Sequence, residues 1–218
     1  MSEETLEKLT PEGFRDLVDV SRETLIRLEV YAELLREWQG RMNLVANSTL
    51  EDVWRRHFLD SAQLFRLLRP ESSGGPSPLF DLGSGAGFPG MVLAIMGVPN
   101  VTLIESIQKK ASFLREVAAQ TGTEVTIFAD RIEKFVGPFP ARTIVARALA
   151  PLEKLIPLAR PLLARDGEFL FLKGARANEE LTEASKVWHF EAERIRSLSD
   201  DQATILRITQ VKPKSKRN

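Results

Sequence analysis

The sequence contains no cysteine and only two histidines, His57 and His189, among its 218 residues. Without cysteine, mechanisms that use a thiolate nucleophile or a cysteine-bound metal are excluded. Two histidines are too few for a histidine-rich metal site, so we expect no bound metal. The lack of cysteine also fits a reducing compartment, in which disulfides are rare.

Long apolar runs are missing as well, since no stretch approaches the roughly 20 apolar residues of a membrane-spanning helix. The first ten residues, MSEETLEKLT, are acidic and polar, unlike a signal peptide. Hydrophobic residues make up 43% of the chain and charged residues 28%, as in soluble globular proteins. We therefore expect a cytoplasmic protein that contacts no membrane, and a monomer.

The formal net charge is zero, which by itself argues against a general nucleic-acid binder. The charge is unevenly distributed, with a net of −5 over residues 1–40 and +5 over the remainder. A basic tail, residues 212–218, is either a solvated, disordered end or a contact for RNA phosphates. Its cations are Lys212, Lys214, Lys216 and Arg217. The three lysines are candidate RNA contacts.

The first third of the chain has the period of amphipathic helices. Apolar residues recur at spacings of three and four over 11–40, and Gly40 is a plausible stop. A second amphipathic segment covers 51–68. We predict a helical N-terminal section, residues 1–69, packed on the domain that follows it. The stretch RPESSGGPSP then breaks the pattern and predicts a mobile connector over 70–78.

From residue 79 onward, apolar strands alternate with helices. Five strands are predicted within the segments PLFDLG, NVTLIES, EVTIFAD, RTIVARAL and GEFLFLKG. Two later segments, HFEAERIRSL and QATILRITQV, alternate apolar and polar residues and predict a closing antiparallel pair. Repeated strand–helix–strand units predict a largely parallel sheet with helices on both faces. The expected fold is therefore an α/β, Rossmann-like domain over residues 79–211.

A glycine-rich loop follows the first predicted strand, in LFDLGSGAGFPG at residues 79–90. Gly83, Gly85 and Gly87 allow left-handed backbone angles and close approach of a ligand. The helix that follows offers free N–H groups to an acceptor. In an open α/β sheet, ligands bind at this carboxyl edge of the strands. The last six residues match the dinucleotide pattern G-x-G-x-x-G, so two classes of cofactor fit the loop.

Asp81, just before the loop, separates these two classes by charge. A carboxylate there would repel the pyrophosphate of a nicotinamide or flavin dinucleotide, whereas it would attract the sulfonium and ammonium groups of S-adenosylmethionine. The charge argument therefore favours S-adenosylmethionine, with a dinucleotide-dependent oxidoreductase as the alternative. Glu105 ends the second strand, where an acid binds ribose hydroxyls in either class of site. We include the adjacent Ser106 in the candidate cofactor site.

The ends of later strands supply further candidates. The residues that follow the third strand would surround an adenine, although the first of them is also a candidate helix N-cap. They are Asp130, Arg131, Ile132 and Glu133. Arg147 and Lys173 close the fourth and fifth strands, where they are expected at the ligand edge as substrate contacts. A solvent-facing position is the alternative for both.

The segment RRHFLDS also carries a polar group, on an otherwise core-facing helix. Its polar residues include Arg56, His57, Asp60 and Ser61. Such a group is typical of a satisfied structural network, and a site near the chemistry is the alternative interpretation.

The absence of two motifs narrows the range of atoms that could accept the methyl group. Methylation of pyrimidine C5 needs a cysteine, and enzymes acting on exocyclic amines usually carry an Asn/Asp-Pro-Pro-Tyr turn where this chain reads VARALAPLE. Guanine N7 needs neither device, because its lone pair attacks the methyl group directly and no proton has to leave. Catalysis would then be mostly alignment. Other ring nitrogens, phenols and small amines stay open at this point.

Seven motifs stand in the order found in the RsmG (GidB) family. They are NLV, RHFLDS, DLGSGAGFPG, LIESIQKKASFLREV, RIEKF, VARALAPL and FLKG. Over about Asn43 to Gly174 the chain resembles this family of bacterial small-subunit rRNA N7-guanosine methyltransferases. The resemblance implies a class I methyltransferase fold, S-adenosylmethionine as cofactor, and guanine 527 of 16S rRNA as the target. The partner would be the small ribosomal subunit or its assembly intermediate.

The resemblance also implies roles for individual residues. Cofactor contacts would come from Gly83, Phe88, the backbone of Ile132–Glu133, and Arg147, with Glu105 as the ribose-binding acid. It implies that the RRHFLDS helix lies against the methyl-transfer pocket.

In that pocket, Arg56, His57 and Arg147 would act as positioning residues, and Arg56 also as an RNA contact. We expect His57 not to be a base. Two departures from the family pattern are Glu105, where some members have Asp, and Ala146, where many have Ser. A non-catalytic ribosome-assembly protein that kept the fold is the remaining alternative.

Overall fold

The computed structural model describes residues 7–68 and 78–214. Within these two ranges, no helix is long and apolar enough to span a bilayer. The predicted connector falls outside the described residues except for Pro78, and Lys216 and Arg217 of the predicted tail do as well.

The N-terminal periodicity corresponds to two helices, α1 (Pro11–Val18) and α2 (Arg22–Gln39), followed by the short α3 (Asn47–Leu50). Asp19 ends α1 with a φ of 59°, and the Ser21 hydroxyl begins α2 by accepting the Thr24 N–H at 3.0 Å. Gly40 ends α2 as predicted. The break between the helices leaves Leu17, which the periodicity assigned to the inner face, 51% exposed.

The second predicted helix is irregular. It runs as a π-helix over Trp54–Leu59, continues as α4 (Asp60–Ala62), and ends in a 3₁₀ turn over Phe65–Leu67. The Asp60 N–H donates to the carbonyls of Arg55 and His57, so it does not use the Arg56 carbonyl. Because of these changes of register, Phe65 is 40% exposed instead of facing the core.

One seven-stranded sheet forms the centre of the molecule, in the order β3-β2-β1-β4-β5-β7-β6. Strands β1 to β5 are parallel, and β7 runs antiparallel to both β5 and β6, as the sequence predicts. The strands are β1 (Leu79–Leu82), β2 (Val101–Ile104), β3 (Thr126–Phe128), β4 (Ala141–Arg147), β5 (Leu163–Lys173), β6 (Trp188–Arg196) and β7 (Thr204–Pro213). Strand order reverses between β1 and β4, which is where such sheets bind ligands.

The predicted tail is partly strand. β7 continues to Pro213, and Lys212 within it pairs with His189 of β6. The sheet therefore extends two residues beyond the predicted domain limit at 211, because β6 supplies hydrogen-bond partners that the sequence pattern does not reveal.

Four further helices cover the sheet: α5 (Gly90–Ile95), α6 (Gln108–Thr121), α7 (Leu152–Ala159) and α8 (Ala177–Val187). Gly122 caps α6 with a φ of 60°, a left-handed conformation that glycine adopts without strain. Helix α8 was not predicted, because its sequence, ANEELTEASKV, buries only Ala177 and Ala184 and has no long apolar stripe.

Two hydrophobic clusters lie on the two faces of the sheet. The first joins the N-terminal helices to α5 and α6, and the second lies beneath α7 and α8. Fully buried Tyr31 of α2 stacks on Phe88 at 5.3 Å, and its hydroxyl donates to the Ala86 carbonyl in the glycine loop. The N-terminal helices are therefore packed directly behind the loop that is expected to bind the ligand.

The glycine loop is tied to the sheet through Asp81. This residue is fully buried, and its Oδ2 accepts the Gly90 N–H at 3.1 Å, which links the end of β1 to the start of α5. A Cβ at Gly90 would lie 2.7 Å from that oxygen, so only glycine fits there. Oδ1 has no partner among the described residues. Burial raises the pKa of Asp81 to about 7, and the hydrogen bond from the Gly90 N–H opposes the increase.

We expect Asp81→Asn to gain stability relative to the wild type as the pH rises from 5 to 8. The pKa of Asp81 is about 7 in the folded protein and 3.8 for an unperturbed aspartate, so the folded state retains a proton that the unfolded state releases. Wild-type stability therefore falls over this interval. Asparagine does not titrate, and the difference in unfolding free energy should grow by about 3 kcal/mol. Urea unfolding at several pH values measures it, and a pH-independent difference would contradict this account.

Candidate functional site

A cleft of about 750 Å³ opens at the carboxyl ends of β1, β4 and β5. The glycine loop forms one part of its wall, and the segment Arg147–Pro151 after β4 forms another. Lys173 and Gly174 after β5, the helical residues around His57, and the turn between β6 and β7 complete it. The cleft thus lies at the switch point of the sheet, where the sequence places the ligand.

The three glycines of the loop all have positive φ, 65° at Gly83, 58° at Gly85 and 94° at Gly87. A Cβ at Gly83 would lie 2.5 Å from the end of the Leu149 side chain, which would have to move, so the requirement for glycine comes mainly from the positive φ. At Gly85, a Cβ would meet nothing closer than 3.8 Å. The backbone at Gly85 is therefore open to close approach by a ligand, as predicted.

Glu105 holds this loop in place. It is 5% exposed, its Oε2 accepts the Gly85 N–H at 2.8 Å, and its Oε1 accepts the Ile107 N–H at 2.7 Å. Each oxygen keeps a second lone pair that a ribose hydroxyl could use. Binding of the cofactor ribose by Glu105 stays a prediction. The assignment of Ser106 to the cofactor site also stays a prediction, since Ser106 is exposed and does not line the cleft.

The charge argument from Asp81 does not hold in the folded protein. Asp81 is absent from the cleft wall, since it lies beneath the loop and bonds to Gly90. With a pKa of about 7, its carboxyl carries only part of a negative charge at neutral pH. Burial removes the water that keeps an exposed carboxylate ionised, and the sequence alone did not reveal that burial.

The predicted adenine contacts lie outside the cleft wall. Asp130 accepts the Arg131 N–H at 2.7 Å and pairs with Lys134 at 3.0 Å, and these bonds, the first most strongly, hold the pKa of Asp130 below its usual value. Ile132–Lys134 forms a 3₁₀ turn. Asp130, Arg131, Ile132 and Glu133 do not line the described cleft, and their cofactor role stays a prediction.

Phe88 is the centre of an aromatic and cationic group beside the glycine loop. Its ring stacks with those of Tyr31, at 5.3 Å, and His57, at 4.9 Å. The guanidinium carbon of Arg147 lies 4.8 Å from the centre of the same ring. The structure therefore brings three predicted site residues, Phe88, His57 and Arg147, into direct contact.

The hydrogen bonds of His57 define its protonation state. The Thr49 hydroxyl donates its only proton to the Ala46 carbonyl at 2.6 Å, so the 2.7 Å contact between Thr49 and His57 Nε2 requires Nε2 to be the donor. Nδ1 has no partner among the described residues. Burial, followed by the charges of Arg147 and Arg56, lowers the His57 pKa to about 3. The ring is therefore neutral at physiological pH.

Arg147 is anchored through one nitrogen. Nη1 donates to the Arg56 carbonyl at 3.1 Å and to Asp60 Oδ2 at 3.3 Å. The Arg56 side chain points elsewhere and pairs with Asp200 in the β6–β7 turn. The backbone carbonyl of Arg56 therefore binds Arg147, and its side chain forms an ion pair across one side of the cleft. The contact of Arg56 with RNA stays a prediction.

Lys173 lies at the cleft, as predicted, but its ammonium group is neither free nor solvent-facing. The side chain is 8% exposed, and Nζ donates to the Ala150 carbonyl at 2.6 Å and pairs with Glu180 at 2.8 Å. The same Glu180 oxygen accepts the Leu152 N–H at 3.0 Å. Lys173 thus links β5, α7 and α8, which weakens its prediction as an RNA contact. Sequence reasoning missed this pair because α8 itself was missed.

Several other cleft residues were not identified from the sequence, among them Thr49, Ser199 and Asp200. The one available signal was the polar group of RRHFLDS on an apolar face, which implied buried partners without naming them. In the described part of the chain, no group of three or more His, Asp or Glu could hold a metal ion.

The chain matches the family model for rRNA small subunit methyltransferase G over residues 24–206. It is 51% identical over 201 residues to ribosomal RNA small subunit methyltransferase G of Paramagnetospirillum magneticum, covering 92% of this chain and 96% of the relative. It is 48% identical over 206 residues to the protein of the same name from Rhodospirillum rubrum, covering 93% of this chain and 98% of that one.

Solved structures with more distant sequences share the fold. A ribosomal protein L11 methylase from Lactobacillus delbrueckii superposes with a TM-score of 0.54 at 21% identity, over 68% of this chain and 77% of that one. TYW2 of P. horikoshii, solved with MeSAdo, gives a TM-score of 0.53 at 15% identity, over 70% and 61%.

These likenesses confirm the predicted α/β fold as that of class I methyltransferases. The family model matches most of the chain, and the relatives share about half of its residues. Both results agree with the position of the cleft at the switch point of the sheet. The expectation of S-adenosylmethionine as cofactor is confirmed on the family and the fold, and not on the charge of Asp81. The chain belongs to the rRNA small subunit methyltransferase G family.

Proposed function

We propose that this protein transfers the methyl group of S-adenosylmethionine to N7 of a guanine in 16S rRNA, by direct in-line transfer without a general base. The resemblance narrows the target to guanine 527. The observation that carries the proposal is the lack of a free base among the described residues of the cleft. The carboxylates of Asp60, Glu180 and Asp200 each pair with a cation, and His57 is neutral with a pKa near 3.

An acceptor that must lose a proton fits this cleft poorly. An exocyclic amine or a phenol is methylated more readily when a base removes its proton, and such a base works best with a pKa near the working pH. Guanine N7 has an available lone pair and gains the positive charge that leaves the sulfonium. Transfer then depends on aligning N7 with the methyl carbon and sulfur.

The residues present fit the cofactor. The open backbone at Gly85 allows a ligand to approach closely, and Glu105 behind it keeps lone pairs for hydroxyl groups. S-adenosylmethionine, when bound, supplies a methyl group made electrophilic by the positive sulfur. Phe88 and the neutral His57 ring give this side of the cleft an apolar lining that excludes water. Membership in a methyltransferase family rules out the oxidoreductase alternative.

Arg147 cannot grip the target base in the common way. A bidentate arginine contact to guanine uses O6 and N7, which would block the reacting atom. A productive arginine would then hold a phosphate, O6 alone or the methionine end of the cofactor. Because the family resemblance implies a cofactor contact for Arg147, we assign it to the methionine end. A guanine stacked in a duplex cannot reach a cleft of this kind, so the target is a loop or flipped-out base.

The expected partner is 16S rRNA within the small ribosomal subunit or an assembly intermediate. We expect the protein to act on it in the cytoplasm and as a monomer. Lys110 and Arg56 are the cations at the cleft that are open enough to meet RNA phosphates. Lys212 and Lys214 are exposed at the end of β7 and stay candidates for such contacts, as does Lys216.

The N7 assignment is tested with small subunits reconstituted from a 16S transcript that contains either guanosine or 7-deazaguanosine. The 7-deaza base carries a C–H in place of N7, so we expect tritiated methyl to be incorporated only with guanosine and to map to 7-methylguanosine. Label on a carbon or an exocyclic amine would refute N7 specificity. Binding of the subunit without methyl incorporation in either case would instead favour the non-catalytic assembly protein.

We expect His57→Gln to leave the shape of the pH–rate profile unchanged between pH 6 and 9. The wild-type ring stays neutral throughout because its pKa lies near 3, so its removal takes no ionisation out of the profile. The rate itself should fall by about tenfold or less, since an uncharged hydrogen bond and one stacking contact are lost. Single-turnover rates at saturating cofactor measure this. Loss of a limb near pH 6–7 in the variant would identify His57 as a titrating base.

A further inference from the structure

We propose that Asp60 is a positioning residue, which turns the guanidinium of Arg147 so that one of its edges receives the carboxylate of S-adenosylmethionine. The proposal rests on the proposed cofactor role of Arg147 and adds the group that orients it. Asp60 itself, on the segment RRHFLDS, would touch neither cofactor nor RNA.

The first support is the way in which Arg147 is held. Its Nη1 makes two hydrogen bonds, to the Arg56 carbonyl and to Asp60, while its plane lies against the Phe88 ring. Within residues 7–68 and 78–214, Nε and Nη2 donate to no protein acceptor. Those two nitrogens form one edge of the guanidinium, and two parallel N–H groups on an edge match the two oxygens of a carboxylate.

The second support is that Asp60 is itself fixed from the opposite side. Its Oδ1 accepts the Ser199 hydroxyl at 2.6 Å and the Gln63 amide at 3.2 Å, which leaves Oδ2 for Arg147. Gln63 in turn accepts the Leu198 N–H at 2.7 Å. The β6–β7 turn therefore clamps the carboxylate, and an oriented carboxylate fixes the orientation of the guanidinium.

The third support is the π-helical register of Trp54–Leu59. In a regular α-helix, the Arg56 carbonyl would accept the N–H of Asp60, four residues later. Here that N–H bonds to Arg55 and His57, and the Arg56 carbonyl accepts from Arg147. The irregular turn thus supplies the second acceptor for Nη1, next to the first on the same helical segment.

The test compares the affinity for S-adenosylmethionine with that for decarboxylated S-adenosylmethionine, which lacks only the carboxylate. Wild-type protein should bind the complete cofactor about 30-fold more tightly than the decarboxylated one, because a charge-assisted hydrogen-bonded pair contributes about that much to affinity. In Asp60→Asn the preference should fall to about threefold, because the amide no longer holds Nη1 by charge. Binding of the decarboxylated ligand should stay unchanged. Isothermal titration calorimetry measures all four constants.

The sign of this change separates positioning from charge. Asp60→Asn removes a negative charge from the cleft, and by long-range electrostatics alone it would strengthen binding of the ligand that carries the carboxylate. Positioning predicts the reverse. An increased preference in Asp60→Asn, or tighter binding of S-adenosylmethionine, would overturn the proposal by showing that Asp60 competes for Arg147.

Asp52→Asn is the matched control. Asp52 lies ahead of the same helical segment and pairs with Arg55 at 3.2 Å. This pair is mostly buried, as is that of Asp60 and Arg147, yet Asp52 is not part of the cleft. Its preference should equal that of the wild type. Ser199→Ala, which removes one clamp on Asp60 and keeps every charge, should give an intermediate preference of about tenfold. If Asp60→Asn does not fold, the preference measured for Ser199→Ala tests the proposal in its place.

Two further outcomes count against the proposal. Equal weakening of both ligands in Asp60→Asn would mean that Asp60 only supports the fold. No preference in the wild type would mean that Arg147 does not receive the carboxylate, and the proposal would fail there. Methyl transfer to guanine N7 could still be observed in that case, so the failure is distinguishable from failure of the proposed function.

Discussion

The guanidinium of Arg147 is the point at which three separate parts of the chain meet. It leaves the end of β4, lies against Phe88 of the glycine loop, and is held by the Arg56 carbonyl and the Asp60 carboxylate of the N-terminal section. An arginine with its charge largely removed from water needs such partners. The packing of the N-terminal helices on the sheet is therefore part of the site, and not only a support for it.

Desolvation sets the chemistry of the cleft. It raises the pKa of Asp81 beneath the loop and lowers that of His57 beside it, so both groups tend towards their neutral forms. The cleft carboxylates of Asp60, Glu180 and Asp200 each form an ion pair with an arginine or lysine. A cleft of this kind suits a reaction that moves a positive charge from one partner to the other and requires no proton transfer, as methylation of a ring nitrogen does.

Local sequence signals were reliable where the conformation of the backbone requires a particular residue type or pattern. The positive φ angles of Gly83 and Gly87, the capping of α6 by Gly122, and the antiparallel pairing of β6 and β7 were all predictable. Prediction failed where distant partners decide the outcome. Lys173 was expected to be a substrate contact or to face solvent, but its ammonium group is buried in an ion pair with Glu180 of the unpredicted α8. No pattern around either residue indicates that the two side chains meet.

The class of fold, the position of the glycine loop and, through seven ordered motifs, the family could all be inferred from the order of the amino acids. These depend on periodicity and on residue types that the backbone requires locally. The packing of the folded chain sets the ionisation of Asp81 and the protonation state of His57, which no sequence pattern indicates. It also decided the acceptors of Arg147, since Asp60 reaches its place through Ser199, 139 residues away in the chain. Burial and the pairing of remote side chains arise only when the elements pack. Packing removes water from around the side chains and brings residues that are far apart in the sequence within hydrogen-bonding distance.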